Sequence, residues 1–267
     1  MRYRAASSNS VSNDSRSKLV MPIVFACLLT AGVACSPKAP AGAASGTPVA
    51  KSTVEPENSR FLPTVKTGFV VSEWARVPSV RSLAVSPDGK TVFTGSKSGD
   101  ISKITVQDGV PKVEVFLSNL NGSNGVCFLG EDLIVAELTR VRRFAAKDGF
   151  APNSEGRVIL NGLPDERHHG ARYIKAGPDG RIRIGIGAPC NVCLREDDPR
   201  FATLSSFDGE GNDFRIDAKG VRNTVGFDWD PESGELFFSD IGRDMLGEDF
   251  PPCELNRLAE GGEGAHY

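Results

Sequence analysis

The chain has 267 residues, a length that allows one large domain or two small ones. Hydrophobic residues make up 39% and charged residues 24%, which excludes a disordered chain and a protein with many membrane spans. The 31 basic and 34 acidic residues leave a net charge of −3, so no basic surplus indicates a nucleic-acid partner. The 29 glycines and 17 prolines indicate a chain that is rich in turns.

The first 34 residues have the composition of an export signal. Basic residues are scattered over residues 2–18, and an apolar run follows over residues 19–34. This run is shorter than the roughly 20 residues of a membrane span and suits the core of a signal peptide. Small residues then precede Cys35, which resembles a bacterial lipoprotein signal with Cys35 as the lipidated first residue. Ordinary secretory cleavage near Ala34 and an uncleaved anchor are the alternatives, and all three place the domain outside the cytoplasm.

Residues 35–60 are mostly Pro, Ala, Gly, Ser and Thr with scattered charges, the composition of a flexible tether. Behind a lipidated Cys35, such a tether would hold a globular domain away from a membrane. We therefore expect an exported protein, periplasmic or an outer-membrane lipoprotein of a bacterium. The alternative is that the segment is only an unstructured terminus.

From residue 61 on, short apolar runs alternate with turn signals in a weak repeat. Each repeat predicts a strand, a tight turn built on Pro-Asp-Gly or an equivalent, and a second strand. The four segments are residues 83–93, 125–135, 173–184 and 227–238. A four-stranded sheet that recurs every 40 to 50 residues or so is typical of a β-propeller blade. The sequence therefore predicts an all-β propeller, with an all-β sandwich as the alternative.

Residues 61–267 hold four to five blades at this spacing. Propellers protect their sheet edges by closing into a ring, and proteins avoid bare edges. We therefore expect residues 61–267 to form a partial propeller that is truncated after four to five blades. A small complete propeller is the alternative.

Three segments contain candidate chemical groups. His168 and His169 come just before a predicted strand, and histidine is the side chain best suited to accept a proton near neutral pH. Arg222 supplies a fixed cation with a planar set of donors, which suits an anionic cofactor or developing negative charge. Residues 239–256 form an acidic loop rich in the oxygen ligands that Ca²⁺ prefers, although without the EF-hand spacing. Each feature alone also fits ordinary surface or structural residues.

The cysteines predict a disulfide rather than a metal or haem site. Cys190-Asn-Val-Cys193 is a CxxC motif without a following His, which argues against covalent haem. A second CxxC for zinc and a βαβ context for a thioredoxin-like site are both missing. We therefore predict a structural disulfide between Cys190 and Cys193. Pairing of Cys253 with Cys127 or with one of the CxxC cysteines stays open.

Six phrases, in their order and spacing, resemble the glucose/sorbosone dehydrogenase family, the soluble sugar dehydrogenases that use pyrroloquinoline quinone (PQQ). The resemblance is greatest to the sorbosone dehydrogenase-like branch, and it covers residues 163–267 strongly and residues 61–162 more loosely. The phrases are residues 163–164 with 168–170, 177–180, 187–193, 221–229, 242–244 and 247–256. The resemblance implies a six-bladed propeller with the quinone over the central channel.

The resemblance also implies residue roles. His169 would be the catalytic base that removes a proton from a sugar's anomeric hydroxyl or from an aldehyde hydrate, while hydride passes to the quinone. Arg222 would stabilise the quinone oxygen, and Asn223 and Asp249 would contact the cofactor. The backbone carbonyls of Gly242 and Arg243 would bind Ca²⁺.

The implied function is that of a PQQ-dependent oxidoreductase acting on a sugar or sugar-derived aldehyde, sorbosone-like or aldose. Ala188 stands where the glucose enzymes have an acidic residue near the sugar, which argues against ordinary glucose specificity. Export implies an external electron acceptor and, through the lipid anchor, a membrane. The alternatives are a lipid-tethered, non-catalytic propeller that binds a partner, and a metal-dependent lactone hydrolase on a similar propeller.

Overall fold

A computed structural model describes residues 62–193, 195, 197–247 and 249–259 of the chain. The predicted signal at 1–34, the lipidation site Cys35 and the tether at 35–60 lie outside the described residues. Within the described part, the regular structure consists of fifteen β-strands and one short 3₁₀ turn at Ala146–Asp148. No helix in these ranges is long and apolar enough to cross a membrane.

The strands form four antiparallel sheets in which each strand pairs with the next one along the chain. The first sheet contains β1 (Val80–Val85), β2 (Thr91–Ser96), β3 (Ile101–Gln107) and β4 (Val110–Leu117). The second contains β5 (Gly125–Leu129), β6 (Asp132–Ala136), β7 (Arg140–Phe144) and β8 (Arg157–Asn161). The third contains β9 (Ile174–Ala176), β10 (Ile182–Ile186), β11 (Thr203–Phe207) and β12 (Arg215–Lys219), and the fourth contains β13 (Phe227–Trp229), β14 (Leu236–Asp240) and β15 (Glu254–Arg257). Four successive meander sheets are four blades of a propeller.

The predicted all-β propeller is confirmed, and the sandwich alternative is wrong. Each of the four predicted segments forms the first hairpin of a blade, pairing β1 with β2, β5 with β6, β9 with β10 and β13 with β14. The turn chemistry explains why these hairpins could be recognised. In the first turn, Gly89 has a φ of +71°, and Asp88 accepts a hydrogen bond from the backbone N–H of Lys90 at 3.0 Å.

The blades pack face to face through apolar side chains. Strand β1 lies beside β5, and β5 lies beside β9, so the first strands of the first three blades are neighbours. Three clusters fill the spaces between successive blades, and their most buried members include Phe93 and Leu133, then Ile134 and Ile184, then Leu204 and Phe227. Loops that precede these first strands therefore start from neighbouring positions on successive blades.

An aromatic cluster joins the first two blades. Phe93 in β2 is fully buried, and its ring makes edge-to-face contacts with Phe116, Phe128 and Phe150 at centroid distances of 5.2 to 5.9 Å. Such pairs add stability beyond the burial of their area. The cluster therefore fixes the packing of the first blade on the second.

We predict that Phe93→Ala lowers the free energy of unfolding by about 3–5 kcal/mol, because it removes a fully buried ring and leaves a cavity. The measurement is urea denaturation followed by circular dichroism. The matched control is Phe69→Ala, since Phe69 is 71% exposed and should change the free energy by less than about 0.5 kcal/mol. Equal effects of the two substitutions would contradict the packing described here.

Candidate functional site

The loops that precede β9 and β13 meet at one peptide group, that of Ala188. Its N–H donates a hydrogen bond to the carbonyl oxygen of Arg222 at 2.7 Å. Its carbonyl oxygen lies 2.9 Å from Nδ1 of His169. The structure thus brings together His169 and Arg222, the two residues assigned catalytic roles from the sequence.

His169 packs directly against Gly187. Its φ of +50° is uncommon for a residue with a side chain, although histidine adopts this region more readily than most. A Cβ at Gly187 would collide with Cβ of His169 and would lie 3.0 Å from the His169 carbonyl oxygen and 3.2 Å from Oδ1 of Asn223. The absence of a side chain at Gly187 therefore allows His169 and Asn223 to approach each other.

The hydrogen bond to Ala188 determines which ring nitrogen of His169 carries the proton. A carbonyl oxygen only accepts, so Nδ1 must be the protonated nitrogen and Nε2 keeps its lone pair. Burial lowers the pKa of His169, and the neighbouring His168 and Arg222 lower this pKa further, against the opposing effect of the Ala188 carbonyl. The ring of His168, which is exposed, lies 4.0 Å from that of His169. At neutral pH, His169 is therefore an uncharged base with a free Nε2.

Arg222 is a buried cation with every N–H occupied. Its residue is 1% exposed. Nε donates to the carbonyl oxygen of Asn191 at 3.2 Å, and Nη1 donates to the carbonyl oxygens of Ile241 and Gly242 at 2.9 and 2.7 Å. Nη2 donates to Oδ1 of Asn191 at 2.7 Å and to Oδ2 of Asp244 at 3.0 Å. A guanidinium with five acceptors has a fixed position, so the site contains a fixed positive charge.

Asp240, at the end of β14, orients the backbone that carries this cation. Its two carboxylate oxygens accept hydrogen bonds from the N–H groups of Arg222 and Asn223 at 2.9 and 2.8 Å. Burial raises the pKa of Asp240, and the two N–H groups act against that rise. Sequence reasoning missed Asp240 because it is one of several acids in residues 239–256 and nothing in the pattern distinguishes it.

Asn191 was also missed as a site residue. Its side chain and its carbonyl both hold Arg222, although only the two cysteines around it were singled out. Its place inside the CxxC motif was the available signal. Asn223 belongs to the site, since its N–H binds Asp240 and its Oδ1 lies near Gly187. Asp249 is exposed, and the structure does not assign it to this buried network.

One of the two carbonyl oxygens expected to bind Ca²⁺ already accepts a hydrogen bond. The carbonyl oxygen of Gly242 accepts a hydrogen bond from Nη1 of Arg222, so a divalent cation at that oxygen would lie beside a guanidinium. Ca²⁺ needs six to eight oxygen ligands. The described ranges contain no group of three or more His, Cys, Asp and Glu side chains that could hold a metal ion. Binding of Ca²⁺ by Gly242 and Arg243 stays a prediction.

The structure forms the disulfide between Cys190 and Cys193, with their Cα atoms 5.8 Å apart. Cys127 and Cys253 are free, so the pairings left open for Cys253 are absent. Cys127 is buried, and burial raises the pKa of its thiol to about 12. The Cys190–Cys193 disulfide closes the loop that contains Asn191.

Two solved structures resemble this propeller. The holo form of the PQQ domain of pyranose dehydrogenase from Coprinopsis cinerea has a TM-score of 0.53 and 14% identity, over 64% of this chain and 46% of that one. A proposed oxidoreductase (glucose dehydrogenase) from Thermus thermophilus has a TM-score of 0.52 and 22% identity, over 69% of this chain and 63% of that one. At these identities the likeness shows the fold alone. The fold is the β-propeller of these proteins.

No protein-family model matches the chain. Among curated proteins, an uncharacterized protein of Borreliella burgdorferi is 39% identical over 93 residues, which cover 34% of this chain and 24% of that protein. The chain therefore spans about a quarter of this relative and between 46% and 63% of the two solved structures.

We predict that Gly187→Ala displaces His169 and raises its pKa toward the ordinary value, because the added Cβ collides with His169 and relieves the burial that lowers this pKa. The measurement is a pH titration of the His169 ring proton by NMR. Gly226→Ala is the matched control, since a Cβ there meets nothing within 4 Å. An unchanged His169 pKa in Gly187→Ala would show that the glycine does not position the histidine.

Proposed function

We propose that this chain is a quinone-dependent oxidoreductase of sugars or sugar-derived aldehydes, belonging to the sorbosone dehydrogenase-like branch of the glucose/sorbosone dehydrogenase family. The observation that carries the proposal is that the Ala188 peptide binds both the ring of the neutral base His169 and the backbone of Arg222, whose side chain is a buried cation. The propeller fold and the oxidoreductase descriptions of both structural neighbours support the proposal. The ordered sequence phrases support the sorbosone-like branch.

The base chemistry follows from the state of His169. Its Nε2 has the free lone pair and would accept the proton of the substrate hydroxyl, whether an anomeric hydroxyl or the hydrate of an aldehyde. The imidazolium that forms would keep its Nδ1–H hydrogen bond to the Ala188 carbonyl, which stabilises the added charge. Loss of this proton from oxygen favours departure of hydride from the carbon that bears the hydroxyl, so the O–H and C–H bonds break, a C=O bond forms and the substrate loses two electrons and two hydrogens.

Arg222 supplies the positive charge that an anionic quinone would need. PQQ, when bound, would accept the hydride, which is chemistry that amino-acid side chains do not supply. Arg222 would hold a quinone oxygen with its fixed charge, and Asn223 beside it would contact the cofactor. All Arg222 donors have protein acceptors, so a cofactor oxygen would replace one of them. Asp244 is the acceptor most suited to leave, because its side chain is 63% exposed.

We further propose that the protein is exported and lipid-anchored in a bacterial envelope, through the signal at 1–34 and Cys35. The disulfide between Cys190 and Cys193 supports this proposal, because disulfides persist in oxidising compartments. In that location the electrons would pass to an external acceptor. Its substrate would be a small sugar or aldehyde.

The test is PQQ titration of the purified protein, followed by dye reduction with aldoses and with a sorbosone-like aldehyde as substrates, with and without Ca²⁺. We expect saturable PQQ binding and reduction of the dye that depends on both PQQ and substrate. His169→Gln should keep PQQ binding and lower turnover roughly a hundredfold or more, since it removes the base.

The matched control for that substitution is His168→Gln, which should lower turnover less than about tenfold because His168 is exposed. Absence of PQQ binding under both calcium conditions would contradict the proposed function. Full turnover of His169→Gln would remove His169 from the mechanism.

We predict that kcat/KM of the PQQ-loaded protein falls on the acid side with a midpoint below about 6.5, the ordinary histidine value. His169 acts only when unprotonated, and burial with its cationic neighbour lowers its pKa, so activity persists to a lower pH than an exposed histidine would allow. The measurement is the slope and midpoint of log kcat/KM against pH. A midpoint above the ordinary value would be inconsistent with a buried neutral His169.

A further inference from the structure

The Cys190–Cys193 disulfide closes a four-residue loop that contains a double acceptor for Arg222. Asn191 accepts from Nε of Arg222 through its carbonyl oxygen at 3.2 Å and from Nη2 through its Oδ1 at 2.7 Å. Two acceptors from one residue match one edge of the planar guanidinium, which limits its rotation as well as its position. A covalently closed loop of this size has few conformations available, so the spacing of the two acceptors is maintained.

The same side chain also holds the segment that follows β14. Oδ1 of Asn191 accepts the N–H of Asp244 at 2.9 Å, and Nδ2 of Asn191 donates to the carbonyl oxygen of Asp244 at 3.1 Å. Asp244 in turn accepts from Nη2 of Arg222. Asn191, Asp244 and Arg222 thus form a closed triangle of hydrogen bonds, in which the amide of Asn191 makes three of the contacts.

The other acceptors cannot replace Asn191. The carbonyl oxygens of Ile241 and Gly242 hold only Nη1. Nη2 has Asp244 as its one further acceptor, and that carboxylate is 63% exposed, where an ion pair contributes little. Loss of the Asn191 side chain would leave Nη2 of a buried guanidinium without its buried acceptor, which is costly. The backbone carbonyl that binds Nε would remain, but without the side-chain contacts that hold it in place.

We propose that Asn191 is the positioning residue of Arg222, and that the Cys190–Cys193 disulfide acts on Arg222 by holding Asn191 in place. The inference rests on the proposed function, in which Arg222 faces the anionic cofactor. A disulfide in the loop after β10 thereby sets the direction of a cation that precedes β13.

The first test needs no cofactor. Hydrogen exchange of the Arg222 Nη2 protons, whose buried acceptor is Oδ1 of Asn191, reports by NMR in the free protein how firmly the guanidinium is held. We expect slow exchange in the unsubstituted protein and exchange about tenfold faster or more in Asn191→Ala and in Cys190→Ser/Cys193→Ser. Asn191→Asp keeps the acceptor oxygens and should restore slow exchange. Asn161→Ala, which removes an exposed asparagine of β8, is the matched control and should leave the rate unchanged.

The second test is the dissociation constant for PQQ, measured by absorbance titration, together with the thermal unfolding midpoint of each variant. Asn191→Ala should weaken PQQ binding about tenfold or more while remaining folded. Unchanged Arg222 exchange in Asn191→Ala would overturn the proposal. If the double cysteine variant does not fold, the comparison of Asn191→Ala with Asn191→Asp still decides the role of Asn191.

The two ideas fail in different ways. Faster Arg222 exchange in Asn191→Ala, combined with no PQQ binding by any form of the protein, would contradict the proposed function and support the positioning role. PQQ binding by the unsubstituted protein, combined with equal exchange rates and equal affinity in Asn191→Ala, would support the proposed function and contradict the positioning role.

Discussion

Burial of the Arg222 guanidinium is the constraint on which the rest of the site depends. A charged group this far from solvent is costly unless each of its donors has an acceptor, and the 1% exposure of Arg222 leaves little room for water. The acceptors come from the disulfide loop after β10 and from the segment after β14. Because both segments bind one cation, neither can move without leaving buried donors unpaired. The site is therefore held together by a charge rather than by its own secondary structure.

The same cation acts on the base. Burial is the main cause of the lowered His169 pKa, and the positive charge of Arg222 adds to it. The cation that we propose to face an anionic cofactor thus adds to the effect of burial in lowering the pKa of His169. The peptide of Ala188 links the two, since its N–H binds the backbone of Arg222 and its carbonyl selects the His169 tautomer. A displacement of Ala188 or Arg222 would consequently alter both the tautomer and the pKa of His169.

The propeller makes this linkage possible because successive blades contribute neighbouring loops. Residues that precede β9 and β13 come together through the Ala188 peptide, which follows β10, although they are far apart in sequence. Glycine is needed at position 187, because a Cβ there would collide with His169. The apolar clusters between the blades hold the blades in fixed positions, and the loops contain the candidate site residues.

The sequence by itself determined the hairpins, because a Pro-Asp-Gly turn between alternating apolar residues is a local signal that needs no distant partner. It also indicated His169, Arg222 and Asn223 as candidate site residues, through their side-chain chemistry and the order of the phrases around them. Only the tertiary structure decided the tautomer of His169 and the hydrogen-bond partners of Arg222 and Asn223. Arg222 and its acceptor Asn191 are 31 positions apart, and Asp240 resembles the other acids near it until its two backbone partners are seen. The tautomer of His169 and the engagement of the Gly242 carbonyl depend on hydrogen bonds between segments far apart in the chain, which no local pattern encodes.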